Sequence, residues 1–241
     1  MPQATAAPSG AEIATYNRVM PDPERPASFR DLTVAAFVDE LASGAPVPGG
    51  GSASAVAASL GAALVAMVAA LSQGRMRWAE HAELHAESAA TGRELAARLL
   101  DLADEDAEAY SAFAAARKLP RETESEQAAR RAAMQAAARW ASDVPMATLE
   151  ACLSVVSAAE SLAGRCNANA ASDIGVAALL GEAAAHGAAA NVLVNLPSVG
   201  DDAYAAEMTM RVKRIVDDIQ QLAATAHETL GQGESREPLR T

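Results

Sequence analysis

Aromatic residues are scarce in this chain of 241 residues: two Trp, three Tyr and three Phe, 3% in all. A sandwich or barrel core is built from recurrent runs of β-branched and aromatic residues, and no long run of that kind occurs. Cysteine is scarcer still. Cys152 and Cys166 supply neither a disulfide framework nor a zinc-ligand pattern. Positive charge is outweighed, with 19 Lys and Arg against 31 Asp and Glu, a net charge of −12. No basic stripe, RNP motif or basic region is present, which argues against a nucleic-acid partner. The N-terminus lacks the charged and apolar regions of a secretory signal, so the expected location is cytoplasmic. A Walker lysine motif, a G-x-G-x-x-G fingerprint and a nucleophile elbow are all missing.

Alanine and the aliphatics fill the gap. Hydrophobic residues make up 51% of the chain, much of it Ala, so the core must come from Leu, Val, Met and Ala. That composition suits close helix packing, and the expected fold is all-α. It is an antiparallel helical bundle with a buried Ala-rich central helix and one long helix. The central helix follows Pro46-Val-Pro-Gly-Gly-Gly-Ser52. Gly49, Gly50 and Gly51 let backbone N–H groups approach an anion at a helix start, and Ser52 is a natural N-cap. From Ala53 to Leu71 there is no charged residue. A run of this length could span a membrane. Its Ala-rich composition and lack of an aromatic belt favour instead a helix buried all round, with no membrane partner.

Residues 1–27, rich in Ala, Pro, Ser and Thr, read as a flexible extension, 28–232 as one helical domain, and 233–241 as a flexible tail. A short helix is expected over Asp31 to Leu41. The central helix should run from Ser52 to about Gln73, with Gly74 as its break. A charged helix should start at Arg75 and Arg77 and run to Lys118, stopped by Leu119-Pro120. Thr123 or Ser125 caps the next helix, which Pro145 should kink or restart. Further helices are expected from Asp173 to His186, ended by Gly187, then from Ala188 to Leu196, and from Asp202 to Leu230.

Four constellations contain chemistry-bearing residues. His81 and His85 share a helix face at i,i+4, but the order is not H-E-x-x-H and the surrounding charges alternate, so a solvated face is expected and no metal site. Asp101 to Tyr110 wraps acidic residues round a helix. Solvation is the plain explanation, yet Asp106 lies beside the apolar stripe, where burial tunes a carboxylate. The run Cys166-Asn167-Ala-Asn169-Ala-Ala-Ser172-Asp173 precedes an apolar helix. One capping residue suffices there, and the surplus of Asn, Ser and Asp suggests donors and acceptors for a heterocycle. Asn191 and Asn195 flank three apolar residues, and both amides need partners if that stretch is buried.

In chain order, these segments resemble the cyclodeaminase/cyclohydrolase family of folate enzymes. The resemblance rests on Pro48-Gly-Gly-Gly-Ser52, Gly61-Ala-Ala-Leu64 with Met67-Val68, Gly74-Arg75, Asp106-Ala-Glu-Ala-Tyr110, Leu119-Pro120-Arg121, Val144-Pro145, Asn167 with Ser172-Asp173, and Asn191 to Leu196. It implies a homodimeric helical domain that works without metal or redox cofactor on a tetrahydrofolate substrate, polyglutamylated forms included. It implies Asp106 as the catalytic carboxylate and Asp173 as its support. Gly49, Gly50, Gly51, Ser52, Asn167, Ser172, Asn191 and Asn195 would line the folate cleft. Arg75 and Arg121, where Lys is often found, would hold glutamate-tail carboxylates. Three readings follow: a methenyltetrahydrofolate cyclohydrolase, a formimidoyltetrahydrofolate cyclodeaminase, and a non-catalytic helical scaffold. The missing transferase partner domain and the Ser142-Asp143-Val-Pro145 run tilt the expectation to the first.

Overall fold

The computed structural model describes residues 28–233 and 235–239, and the expected extension over 1–27 lies outside them. Six α-helices and four short 3-10 segments account for the regular structure of the described residues, and no strand occurs among them. The helices are α1 (Val34–Leu41), α2 (Gly50–Ser72), α3 (Ala82–Arg117), α4 (Glu124–Leu162), α5 (Ala171–Asn195) and α6 (Asp202–Gln232).

Helices α2 to α5 form an up-down-up-down four-helix bundle in which each packs on its neighbours in sequence and α5 closes back on α2. Helix α6 covers the α4–α5 edge. Small residues set the spacing. A Cβ at Gly92 would lie 2.7 Å from the Ala62 carbonyl oxygen, so α3 crosses α2 at backbone contact. Around these contacts lies a core of Leu99, Leu102, Leu149, Leu162, Ile174, Ile219 and many alanines.

The ends follow local chemistry. Thr123 caps α4 in a reciprocal box with Glu126. Gly74 and Gly164 take left-handed φ values of 70° and 74° where α2 and α4 give way to turns. Four expectations are corrected. The first short helix begins at Val34, because the Thr33 side chain caps it and Phe29–Asp31 is a separate 3-10 turn. Arg75 opens a 3-10 segment, Met76–His81, before α3 proper. Pro145 does not restart the helix: α4 continues through it from Glu124 to Leu162. Gly187 does not end α5: it lies inside the helix at a close crossing, where a Cβ would fall 2.2 Å from Ser54 Oγ.

Helix α2 is also not buried all round. Leu60, Met67 and Leu71 are 57%, 40% and 43% exposed, on the side facing away from the bundle. By length and hydropathy, α2 and the Ala168–Ser198 stretch are both long and apolar enough to cross a membrane. Half of the α2 window, and 44% of the other, is buried inside the protein.

Candidate active site

Helix α2 begins at Gly50, with Gly49 at the cap position and no side chain serving it. Ser52 is therefore not the N-cap the sequence led us to expect; it sits within the first turn. There its Oγ lies 3.0 Å from both the Ala103 carbonyl oxygen and Asp106 Oδ2, with a single proton to give. The Ser52 backbone N–H also faces the Asp106 carboxylate and favours its charged form. A carboxylate on α3 thus stands where a capping side chain would stand, at the positive end of α2.

Gly51 makes that approach possible. A Cβ there would lie 2.1 Å from Asp106 Oδ1, so only glycine admits the carboxylate this close. Gly50 is exposed, and its side-chain direction points toward Asn191 Nδ2, 3.9 Å from the ideal Cβ position. Asp106 is half-buried. Burial pushes its carboxyl above the ordinary carboxylate range, and the Ser52 hydrogen bonds oppose that rise in part.

The acidic run around Asp106 is sorted by its partners. Asp101 pairs with Arg30, and Glu105 with Arg98. Asp104 accepts from the Ser28 hydroxyl and from the Phe29 N–H at 2.7 Å, fixing the start of the described chain. Glu108 is exposed. Asp106 is the member of the run aimed at the glycine turn.

The other residues singled out in the sequence fall into three places. Asn191 and Asn195 lie with Asp106 at the α2 N-terminal end, but much of their amide capacity is spent on backbone. Asn191 Nδ2 donates to the Gly187 carbonyl at 2.9 Å. Asn195 Nδ2 donates to the carbonyls of Asn191 at 3.0 Å and Ala141 at 2.7 Å. Ala141 is four residues before Pro145, so its carbonyl is the one a proline leaves without an N–H partner. Sequence reasoning missed this link, although a proline inside a helix announces an orphaned carbonyl four residues earlier. Arg121 is exposed in the α3–α4 turn.

Arg75, Asn167, Ser172 and Asp173 lie at the opposite end of α2. Arg75 Nε donates to the Leu71 carbonyl and closes the helix C-terminus. The Asn167 N–H donates to Ser72 Oγ at 2.8 Å, and its side chain caps the 3-10 turn Ala168–Ala170. At 1.5 Å per residue, Gly51 and Ser72 are about 32 Å apart along α2. One copy of the chain therefore does not bring Asp173 to Asp106.

Near that far end, His81 and His85 are buried rather than solvated. His85 Nε2 meets the Arg165 carbonyl at 2.7 Å, and the turn is covered by Arg236, whose N–H donates to the Gly164 carbonyl. The outward face expected from alternating charges is closed off by this packing. No group of three or more His, Cys, Asp or Glu among the described residues is placed to hold a metal ion.

The formiminotransferase-cyclodeaminase family pattern matches residues 33–214. A methenyltetrahydrofolate cyclohydrolase from Methylorubrum extorquens is 37% identical over 198 residues, spanning 82% of this chain and 95% of that protein. A formimidoyltransferase-cyclodeaminase from Sus scrofa is also 37% identical, but the match covers 80% of this chain and 36% of that longer protein. Among solved structures, a formiminotetrahydrofolate cyclodeaminase from Thermotoga maritima superposes with a TM-score of 0.77 at 26% identity, over 84% of this chain and 98% of that one. With three-quarters of its length matched and the glycine turn facing Asp106, this chain belongs to the formiminotransferase-cyclodeaminase family.

Proposed function

We propose that the chain is a methenyltetrahydrofolate cyclohydrolase, converting 5,10-methenyltetrahydrofolate to 10-formyltetrahydrofolate in cytoplasmic one-carbon metabolism. The observation that carries this is Asp106: a half-buried carboxylate held against Gly51 and Ser52 at a helix start. The substrate carbon lies between two nitrogens in a cationic amidinium. A carboxylate beside it stabilises the cation and accepts a proton from the attacking water. Water adds to that carbon; the adduct's hydroxyl gives up its proton as the C–N5 bond breaks and N5 is protonated. The sum is substrate cation plus water giving the formyl product and one proton. No step calls for a metal or a redox cofactor.

The stand-alone cyclohydrolase relative, matched along almost its full length, supports this activity. The alternative is cyclodeamination, in which a folate nitrogen closes the ring and ammonia leaves. The Thermotoga maritima neighbour favours it, being a similar-sized chain that carries the cyclodeaminase name. The unit responsible is residues 28–232, working as a homodimer, with Arg121 and Arg75 as candidates for glutamate-tail carboxylates.

Assaying both substrates side by side decides between them. Hydrolysis of the methenyl substrate without comparable ammonia release from the formimino substrate is the expected result. Ammonia release with no acceleration of methenyl hydrolysis would assign the second activity instead.

A further inference from the structure

Ser54, Ser72, Ser111, Ser142 and Ser154 each donate to the carbonyl four residues earlier in their own helix. Ser52 turns instead to α3. It is fully buried, and its Oγ lies 3.0 Å from each of two acceptors on that helix, the Ala103 carbonyl oxygen and Asp106 Oδ2. A hydroxyl has one proton to give and lone pairs with which to accept. It therefore serves one of these oxygens at a time, and the state of Asp106 decides which. A charged carboxylate is a stronger acceptor than a peptide carbonyl, whereas a protonated carboxyl is itself a donor. The Ala103 carbonyl does not depend on Ser52, because it lies in the middle of α3 and accepts from the N–H four residues on.

From this geometry we infer that Ser52 is a positioning residue that switches with Asp106. Its hydroxyl donates to Asp106 while that side chain is a carboxylate, and turns to the Ala103 carbonyl when Asp106 holds a proton, leaving Oγ to accept from Asp106. The inference deepens the proposed function and rests on it for the reaction, though not for the switch. It also separates Ser52 from the residues expected to touch folate: with no exposed surface, its side chain meets Asp106 rather than a ligand.

Both states keep every heavy atom in place, since rotation about the Cβ–Oγ bond is the whole change. Neither state leaves a buried polar atom without a partner, which is the usual cost of altering a charge in a partly buried site. The proposed reaction asks Asp106 to change state twice. It takes a proton from the attacking water as the O–C bond forms. It returns that proton to N5 as the C–N5 bond breaks, while the proton of the adduct's hydroxyl leaves to solvent. Asp106 ends as a carboxylate, and substrate cation plus water has become formyl product plus one proton. A group that works as base and then as acid must be trapped in neither form.

Charged side chains near Asp106 are engaged elsewhere. Helix α2 has none. On α3, Asp104 faces Ser28, Glu105 faces Arg98, and Asp101 faces Arg30. On α4, Arg139 and Asp143 turn to Asp201 and Tyr204. Helix α5 meets the glycine turn through the uncharged Asn191. Burial raises the Asp106 pKa, and the hydroxyl and backbone of Ser52 oppose that rise.

Ser52→Ala removes the hydroxyl, and Ser52→Cys fills the same space with a weak donor. Should Ser52→Ala lose the native helical circular dichroism, Ser52→Cys decides. Carbon-13 NMR of the Asp carboxyl carbons in the free protein, with Asp106 identified by its loss in Asp106→Asn, should place the Asp106 midpoint about one pH unit or more higher in each variant than in the native chain. The Ala103 carbonyl carbon should titrate with that midpoint in the native chain and not in Ser52→Ala. With methenyltetrahydrofolate, the acidic limb of kcat/KM should rise by the same interval, and kcat at neutral pH should fall about 10-fold, with KM little changed. An unmoved midpoint, or an Ala103 carbonyl blind to Asp106, would overturn the switch. A raised KM with kcat and the acidic limb unchanged would make Ser52 a folate contact instead, and a fall in kcat with the limb unmoved would make it merely structural; either overturns the positioning role. The two NMR measurements need no turnover. A native chain inert toward methenyltetrahydrofolate would therefore defeat the assigned reaction while they still decide the switch.

Discussion

At the residue scale, Asp106 and Gly51 form one device. The carboxylate occupies a capping role without being in the same helix, and the missing Cβ of Gly51 is what admits it. Because burial raises its pKa, the base form of Asp106 is lost above the ordinary carboxylate range as pH falls. The acidic limb of kcat/KM should sit correspondingly high, and a pH–rate profile measures it. The sign for stability is the reverse. A carboxyl whose folded pKa is raised favours the folded state at low pH, and this contribution is lost as pH rises through the folded value. Asp106→Asn should therefore melt higher than the native chain at neutral pH, and the gain should vanish near pH 3, as thermal denaturation at the two pH values would reveal. Gly51→Ala should leave the helical circular dichroism intact while reducing turnover by about 100-fold or more, the scale of a misplaced general base. Unchanged turnover in that variant would remove the device from catalysis.

At the element scale, what the sequence made legible depended on whether the cause was local. Thr123 with Glu126, Gly74, and Leu119-Pro120 act through their own backbone, and the helix ends fall beside them. Gly187 and Pro145 resemble the same signals but mean something else here. Gly187 makes room for Ser54 on another helix, and Pro145 is tolerated because Asn195 serves the carbonyl it orphans. Neither partner is readable from spacing along one helix. The meeting of Asp106 with Gly51 is likewise a long-range contact; the apolar stripe made Asp106 the better candidate within the acidic run, and the family resemblance implied its catalytic role, but neither pointed to Gly51 as its partner. The Asn195–Ala141 bond gives a quantitative check. Asn195→Ala should cost about 1 kcal/mol by leaving a half-buried carbonyl without a donor. The cost should shrink in a Pro145→Ala background, where the helix supplies its own N–H. Denaturant titration of the double-mutant cycle measures this coupling, and additive losses would mean that the two residues are independent.

At the scale of the whole molecule, a four-helix bundle built from alanine and few aromatics has a thin core and one uncovered apolar face. The homodimer put forward under the proposed function would gain stability by mass action. The melting temperature should rise with protein concentration, as thermal denaturation across a concentration series would show. Helix α2 passes the length and hydropathy criteria for a membrane span because half of it packs inside the bundle and Leu60, Met67 and Leu71 line its other side.

Decay of the methenyltetrahydrofolate absorbance band, compared among the native chain, Asp106→Asn and buffer, tests the central assignment most directly. The native chain should accelerate the decay, and Asp106→Asn should return it to within a small factor of the buffer rate, a loss of about 100- to 10,000-fold in kcat. A native rate equal to buffer in a well-folded sample would contradict the cyclohydrolase assignment, and undiminished activity in Asp106→Asn would contradict the role given to its carboxylate.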